Sequence, residues 1–285
     1  MSFFRVYFSI ALALLITPAA SLAAVQNAFG EPKFDHTHAL FDSVLRKHVR
    51  NGLVNYRALV NDKQDLDRYL AIIGEIKWAN YISWTRNRKL ALWINAYNAF
   101  TIEAILRHYP IGKPNPLSPY PENSIRHIDG VWSQTIWTVA GKSLSLDYIE
   151  HEIMRKQLKE PRVHFVLVCA SIGCPLLEDR SFRADTLEQR LEAAAYNYIN
   201  RDGKVRVDVK NETIWFPMIF DWFGKDFIDS YTDTSLFEGR SKIEKGLLSF
   251  IYKRVTGKKK EMMRKNNFSI KYIPYDWSLN EQDGS

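Results

Sequence analysis

Cys169 and Cys174 are the chain's two cysteines, and they stand in His164-Phe-Val-Leu-Val-Cys169-Ala-Ser-Ile-Gly-Cys174-Pro175. Three chemistries suit this cluster. The thiols can close a disulfide, whose small loop contributes only about 2 kcal/mol on the chain-entropy estimate, so its effect is local pinning. One thiolate can attack a carbonyl with a histidine as base. Least favoured, the two thiols and one or two histidines can hold zinc, although four intervening residues exceed the two common in zinc and redox motifs. If 164–169 is an unbroken strand, His164 and Cys169 face opposite ways. His151, or a His164–Cys174 contact through the turn, then has to serve. Cys174, Cys169, His151 and His164 are thus the catalytic candidates.

Asn95 and Asn98 are a second irregularity. They sit three apart on one face of the most apolar helical segment, where asparagine is a poor helix former. They either clamp the backbone of a packed loop, the favoured reading, or line a polar pocket beneath the Cys174 loop. His127 and Asp129, just before Trp132, are further binding candidates on the second reading. His36 and His38 form a weak H-x-H pair, better read as surface than as ligands.

Helices and strands must position these groups. Leu40, Phe41, Val44, Leu45 and Val49 form a helical stripe ended by Asn51-Gly52, and Leu66–Ile73 is a second short helix. Residues 84–109 are apolar around most of a helical circumference, which predicts a central buried helix ending before Pro110. Residues 131–139 read as an aromatic, β-branched strand turning at Ala140-Gly141-Lys142. Asp147-Tyr-Ile-Glu150 and Asp185-Thr-Leu-Glu188 read as capping boxes that open helices, with a strand over 163–169 between them. Residues 204–209 and 213–216 form a hairpin, Ser235 opens a late helix, and 270–273 is a last strand. Without strict βαβ alternation, the fold class is α+β, a single domain with a central buried helix and a mainly antiparallel sheet.

The first residues read as a secretory leader: Arg5, an apolar run from Val6 to Ile16, then Thr17-Pro18 and the small residues of Ser21-Leu-Ala23. The run is too short to span a bilayer, so we expect cleavage after Ala23, a mature domain over 24–285 with no transmembrane anchor, and a secreted or periplasmic location. Six of the seven net positive charges lie in residues 253–265. That locality argues against nucleic acid as a partner. Lys258, Lys259 and Lys260 either form a solvated helix end, the favoured reading, or contact an anionic surface. Asn211-Glu-Thr213 and Asn267-Phe-Ser269 match the glycosylation sequon.

Taken in order, Trp93-Ile-Asn-Ala-Tyr-Asn98-Ala, Leu146-Asp-Tyr-Ile-Glu-His151, Arg162-Val-His164-Phe, Cys169-Ala-Ser-Ile-Gly-Cys174-Pro175 and Tyr275-Asp-Trp-Ser-Leu-Asn280 resemble the domain of unknown function 547 family. The resemblance covers roughly Tyr56 to Asn280. It implies relatives among bacterial exported proteins and, joined to a coiled-coil segment, in plants, with no established reaction. It also implies that Cys169, Cys174, His151 and His164 match positions of the family pattern. Plant members look intracellular, where a structural disulfide is less expected, which moves weight towards thiol or metal chemistry. The order of elements is also distantly similar to transglutaminase and papain-like folds. In those the nucleophilic cysteine starts the central helix, where this chain has Asn95 and Asn98, and likeness of fold does not assign a reaction.

The leading expectation is a thiol-site hydrolase or acyl transferase acting on peptide or cell-envelope material, without a cofactor. The alternative is a non-catalytic binding module pinned by a Cys169–Cys174 disulfide.

Overall fold

The longest apolar pattern becomes the axis of the fold. In the computed structural model, which describes residues 33–283, Arg86–Leu106 is a helix, and every residue from Leu90 to Leu106 is buried. Thr85 caps it by accepting the Arg88 N–H (3.3 Å). It is the third of the longer helices: α1 is Ala39–His48, α2 Gln64–Glu75 and α3 this central one. Phe41, Val44 and Leu45 of α1 and Leu66, Tyr69 and Ile73 of α2 bury the stripes that their spacing predicts. Further on are α4 (Leu187–Asn200), α5 (Met218–Phe223), α6 (Lys242–Tyr252) and α7 (Gly257–Lys265).

The strands are short. β1 (Val49–Arg50) pairs with β2 (Leu53–Val54), and β3 (Trp137–Val139) with β4 (Lys142–Leu144), both antiparallel. The turn of the second hairpin is Ala140-Gly141, with φ of 50° and 72°, the positive pair that a tight hairpin turn requires. β5 (Arg206–Asp208) pairs antiparallel with β6 (Thr213–Pro217), and β7 (Ser269–Ile273) joins β6 in parallel. The class is α+β with mainly antiparallel pairing. Phe216 and Ile214 of β6 pack with Phe165, Phe220, Phe227 and Phe250 in an aromatic core under this sheet.

Four local expectations are corrected. The predicted strand over 163–169 is a 3-10 turn, Pro161–Phe165, followed by an unpaired extended stretch. Pro161 and the Glu160 cap favour that turn, since the Glu160 side chain accepts the Arg162 N–H. The premise for opposed His164 and Cys169 faces goes with the strand. The two predicted capping boxes do not form. Ser145, not Asp147, receives the Tyr148 N–H (3.1 Å), and Tyr148–Gln157 is a π-helix. Glu188 is drawn instead into an ion pair with Arg162 (2.7 Å). The late helix begins not at Ser235 but behind a true capping box of Ser241 and Glu244. The Trp132 strand is limited to 137–139, and Trp132 is free to face elsewhere.

The leader and the cleavage point after Ala23 lie outside the described residues. No helix among the described residues is long and apolar enough to cross a membrane.

Candidate functional site

The cysteine loop is held from both sides. On one side Asn98 of α3 donates to the Val166 carbonyl (2.9 Å) and accepts the Val168 N–H (3.0 Å), fixing the extended run that ends at Cys169. Ala170 takes a positive φ of 58°, and the Cys174 N–H closes the turn on Ser171 O (3.1 Å). On the other side the segment Tyr275–Gln282 straps across the loop. The Ile172 and Gly173 N–H groups donate to Ser278 O and Asp276 O, each at 2.8 Å, and the Asn280 N–H donates to Ala170 O (3.1 Å). A Cβ on residue 173 would lie 2.7 Å from the Tyr275 ring, so only glycine lets the strap approach this closely.

Both cysteines are free thiols. Cys174 Sγ is buried, accepts the Cys169 N–H (3.0 Å) and the Tyr275 hydroxyl (3.0 Å), and faces Ser171 Oγ (3.3 Å) and Cys169 Sγ (2.7 Å). Burial pushes this thiol up, but hydrogen bonds from Cys169, Ser171 and Tyr275 outweigh it and bring Cys174 down to about 6. Cys169 is driven the opposite way, first by its hydrogen bond with Cys174 and then by burial. Two adjacent sulfurs cannot both ionise cheaply, so the pair shares one proton, with the charge on Cys174 and the proton on Cys169.

Both sulfurs lie in the wall of a cavity of about 220 Å³, which is also lined by His151, His164, Glu150, Tyr97 and Arg126. Aromatic side chains complete it: Trp132, Trp222, Phe223, Tyr275 and Trp277. The histidines therefore share the cavity with the thiols, yet neither hydrogen-bonds to a sulfur among the described residues. His164 Nε2 donates to Asp226 Oδ2 (2.8 Å), and its ring stacks on Phe223 at 4.0 Å. Arg155 grips the same carboxylate with Nε (2.6 Å) and Nη2 (3.0 Å), and gives Nη1 to His151 Nδ1 (2.7 Å). The bond to Arg155 makes Nδ1 the acceptor, so neutral His151 carries its proton on Nε2, towards Asp147 (3.8 Å). Burial lowers both imidazoles, leaving them neutral near pH 7. Burial of the neighbouring Asp226 is overcome by His164 and Arg155, which hold its carboxyl far below the usual range.

Glu150 adds a proton-exchanging group. Tyr97 donates to its Oε2 (3.1 Å), and burial lifts it to about 7 from an ordinary 4.5. The folded protein thus binds a proton that the unfolded chain has released, and the stability tied to this group is present below about pH 4.5 and lost as pH rises through about 7. Glu150→Gln is expected to flatten the fall in melting temperature over that window. An unchanged slope from pH 4.5 to 7 would place the proton elsewhere.

The remaining sequence candidates lie apart from the cavity. Both ends of the Asn95 amide are used on the Phe182 backbone, at 2.8 Å each, and Asn98 is spent on 166–168 as above. His127 Nε2 donates to Pro121 O (2.9 Å), and Asp129 is exposed, receiving Gln134 on its backbone oxygen (2.8 Å). It is their neighbour Arg126 that lines the cavity. Tyr275, Ser171, Glu150 and Asp226 were not singled out as site residues. Tyr275 and Glu150 stood inside recognised motifs, whereas nothing local marks Asp226, which reaches the site across 62 residues of sequence. No group of three or more His, Cys, Asp or Glu side chains is arranged to hold a metal ion among the described residues.

No curated protein and no solved structure matches the chain. Residues 81–199 match the family model described as a protein of unknown function, DUF547. That stretch, which carries all of α3, most of α4, His151, His164 and both cysteines, is what the chain shares with the DUF547 family.

Proposed function

We propose that the cavity is a thiol site of hydrolase or acyl-transferase type, with Cys174 as nucleophile, in an exported protein acting on peptide or cell-envelope material. The observation that carries this reading is the donor set around Cys174 Sγ, which stabilises a thiolate in the wall of a cavity that also holds proton-exchanging groups. The thiolate attacks a carbonyl carbon, a C–S bond forms, and the carbonyl electron pair moves to oxygen. Collapse expels the amine or alcohol, which takes a proton from Glu150. Water or an acceptor then attacks the thioester, passing its proton to the same group and releasing the thiolate.

The test is p-nitrophenyl acetate with the reduced protein, read by intact mass. One acetyl group on Cys174 is expected, lost in Cys174→Ser and kept in Cys169→Ser. No adduct overturns the reading. A second reading draws on the sulfurs' separation of 2.7 Å: oxidised, they would pin the loop of a non-catalytic binding module. It predicts no titratable thiol in unreduced protein. An anionic-surface contact draws little support, because Lys260 lies over the Tyr252 ring (4.8 Å) and burial lowers Lys259, leaving Lys258 exposed.

A further inference from the structure

Arg126 stands out among the cavity's charged groups because it is held firmly yet has no carboxylate within ion-pair distance among the described residues. It sits on the short 3-10 turn Ile125–His127, which is anchored by buried Ser124 and Ile125. Three rings hold its guanidinium: Tyr120 at 4.7 Å, Trp277 at 5.2 Å and Trp132 at 5.5 Å. One Nη2 hydrogen bond goes to the Tyr120 hydroxyl (2.8 Å). Arginine presents five N–H donors in a planar fork, so the rest of the fork is left for a ligand. A cation fixed in this way, exposed and lining the same cavity as the thiols, is prepared for an anion from outside the chain.

Its position relative to the sulfur is fixed by one piece of backbone. The Trp277 ring lies 4.5 Å from that of Tyr275, whose hydroxyl is bonded to Cys174 Sγ. Both rings belong to the strap paired with the cysteine loop, so Arg126, Trp277, Tyr275 and Cys174 form one continuous wall. We infer that Arg126 anchors a carboxylate of the acyl substrate while the strap's aromatic rings carry the intervening chain, so that the substrate class is a peptide with a free carboxylate near the reacting carbonyl. The inference rests on the thiol reading for the reacting bond but not for the binding. The cavity's own carboxylates, Asp147 and Glu150, set against a second negative charge and favour a monoanion over phosphate.

The test reads binding alone, through quenching of tryptophan fluorescence in the full, reduced chain, with N-acetyl-dialanine, its C-terminal amide and inorganic phosphate as probes. The free acid is expected to bind about tenfold more tightly than the amide. Arg126→Gln should bring the acid to the amide's affinity, and Arg126→Lys, which keeps the charge but loses the fork, should fall between. Equal affinity for acid and amide, or an undiminished acid affinity in Arg126→Gln, overturns the inference, as does phosphate binding as tightly as the acid. Selective acid binding in a protein that forms no acetyl adduct upholds Arg126 while the thiol reading fails.

Discussion

Iodoacetamide is expected to modify Cys174 in the folded, reduced protein, at a rate that climbs through about pH 6 and is level by pH 8. A thiol titrating there is roughly nine-tenths thiolate at neutrality, against about one part in a hundred for one at the ordinary 9, and the thiolate is the reactive form. The lower basicity costs intrinsic nucleophilicity, so the net gain at pH 7 is only about three- to sixfold over a thiol of ordinary acidity. Tyr275→Phe and Ser171→Ala each remove one hydrogen-bond donor and should move the midpoint up towards the ordinary thiol range. Cys169 is driven to the neutral form and should stay unmodified on the same timescale. A rate still rising through pH 9, with no plateau, would show that Cys174 has no such stabilisation.

Asn98→Leu is expected to cost about 3 kcal/mol, because the Val168 N–H and the Val166 carbonyl both lose their partner in a buried setting. Leucine keeps the branching and heavy-atom count of asparagine and is the larger side chain, so no cavity contributes to the loss. Guanidinium unfolding followed by circular dichroism measures it as a lower midpoint at unchanged slope. The same variant should blunt the pH plateau of Cys174 alkylation, since the clamp fixes the residue from which the Cys169 N–H is presented. Asn95→Leu should cost a similar amount through Phe182 but leave the plateau in place. A cost below about 1 kcal/mol for Asn98→Leu would mean that water takes over the two backbone groups.

The central helix was legible because its pattern is local: seventeen consecutive buried residues leave a mark that survives any tertiary context. The hairpin at Ala140-Gly141 was legible through its turn chemistry, and the cysteines and histidines by residue type. What the sequence concealed were choices made by distant partners. Asp147 and Glu188 have the spacing of capping residues, yet Ser145 takes the first cap and Arg162 takes Glu188. A strand pattern at 163–169 became a 3-10 turn and a single extended run because Asn98, not a neighbouring strand, satisfies its backbone. The hydrogen-bond partners of the histidines were hidden for the same reason. His164 is claimed by Asp226, and no spacing rule links positions so far apart in the chain.

The strap across the cysteine loop has a consequence for when the thiol can react. The hydroxyl that tunes Cys174 lies 101 residues further along the chain, and the clamp at Asn98 lies 70 residues before Val168. Neither neighbour is supplied by local sequence, so an unfolded or partly folded chain carries two unremarkable thiols of ordinary acidity. Reactivity therefore requires both long-range contacts to be in place. A chain that is still folding is thereby spared premature chemistry at its own sulfur, and alkylation rate becomes an internal gauge of how completely a given molecule has folded.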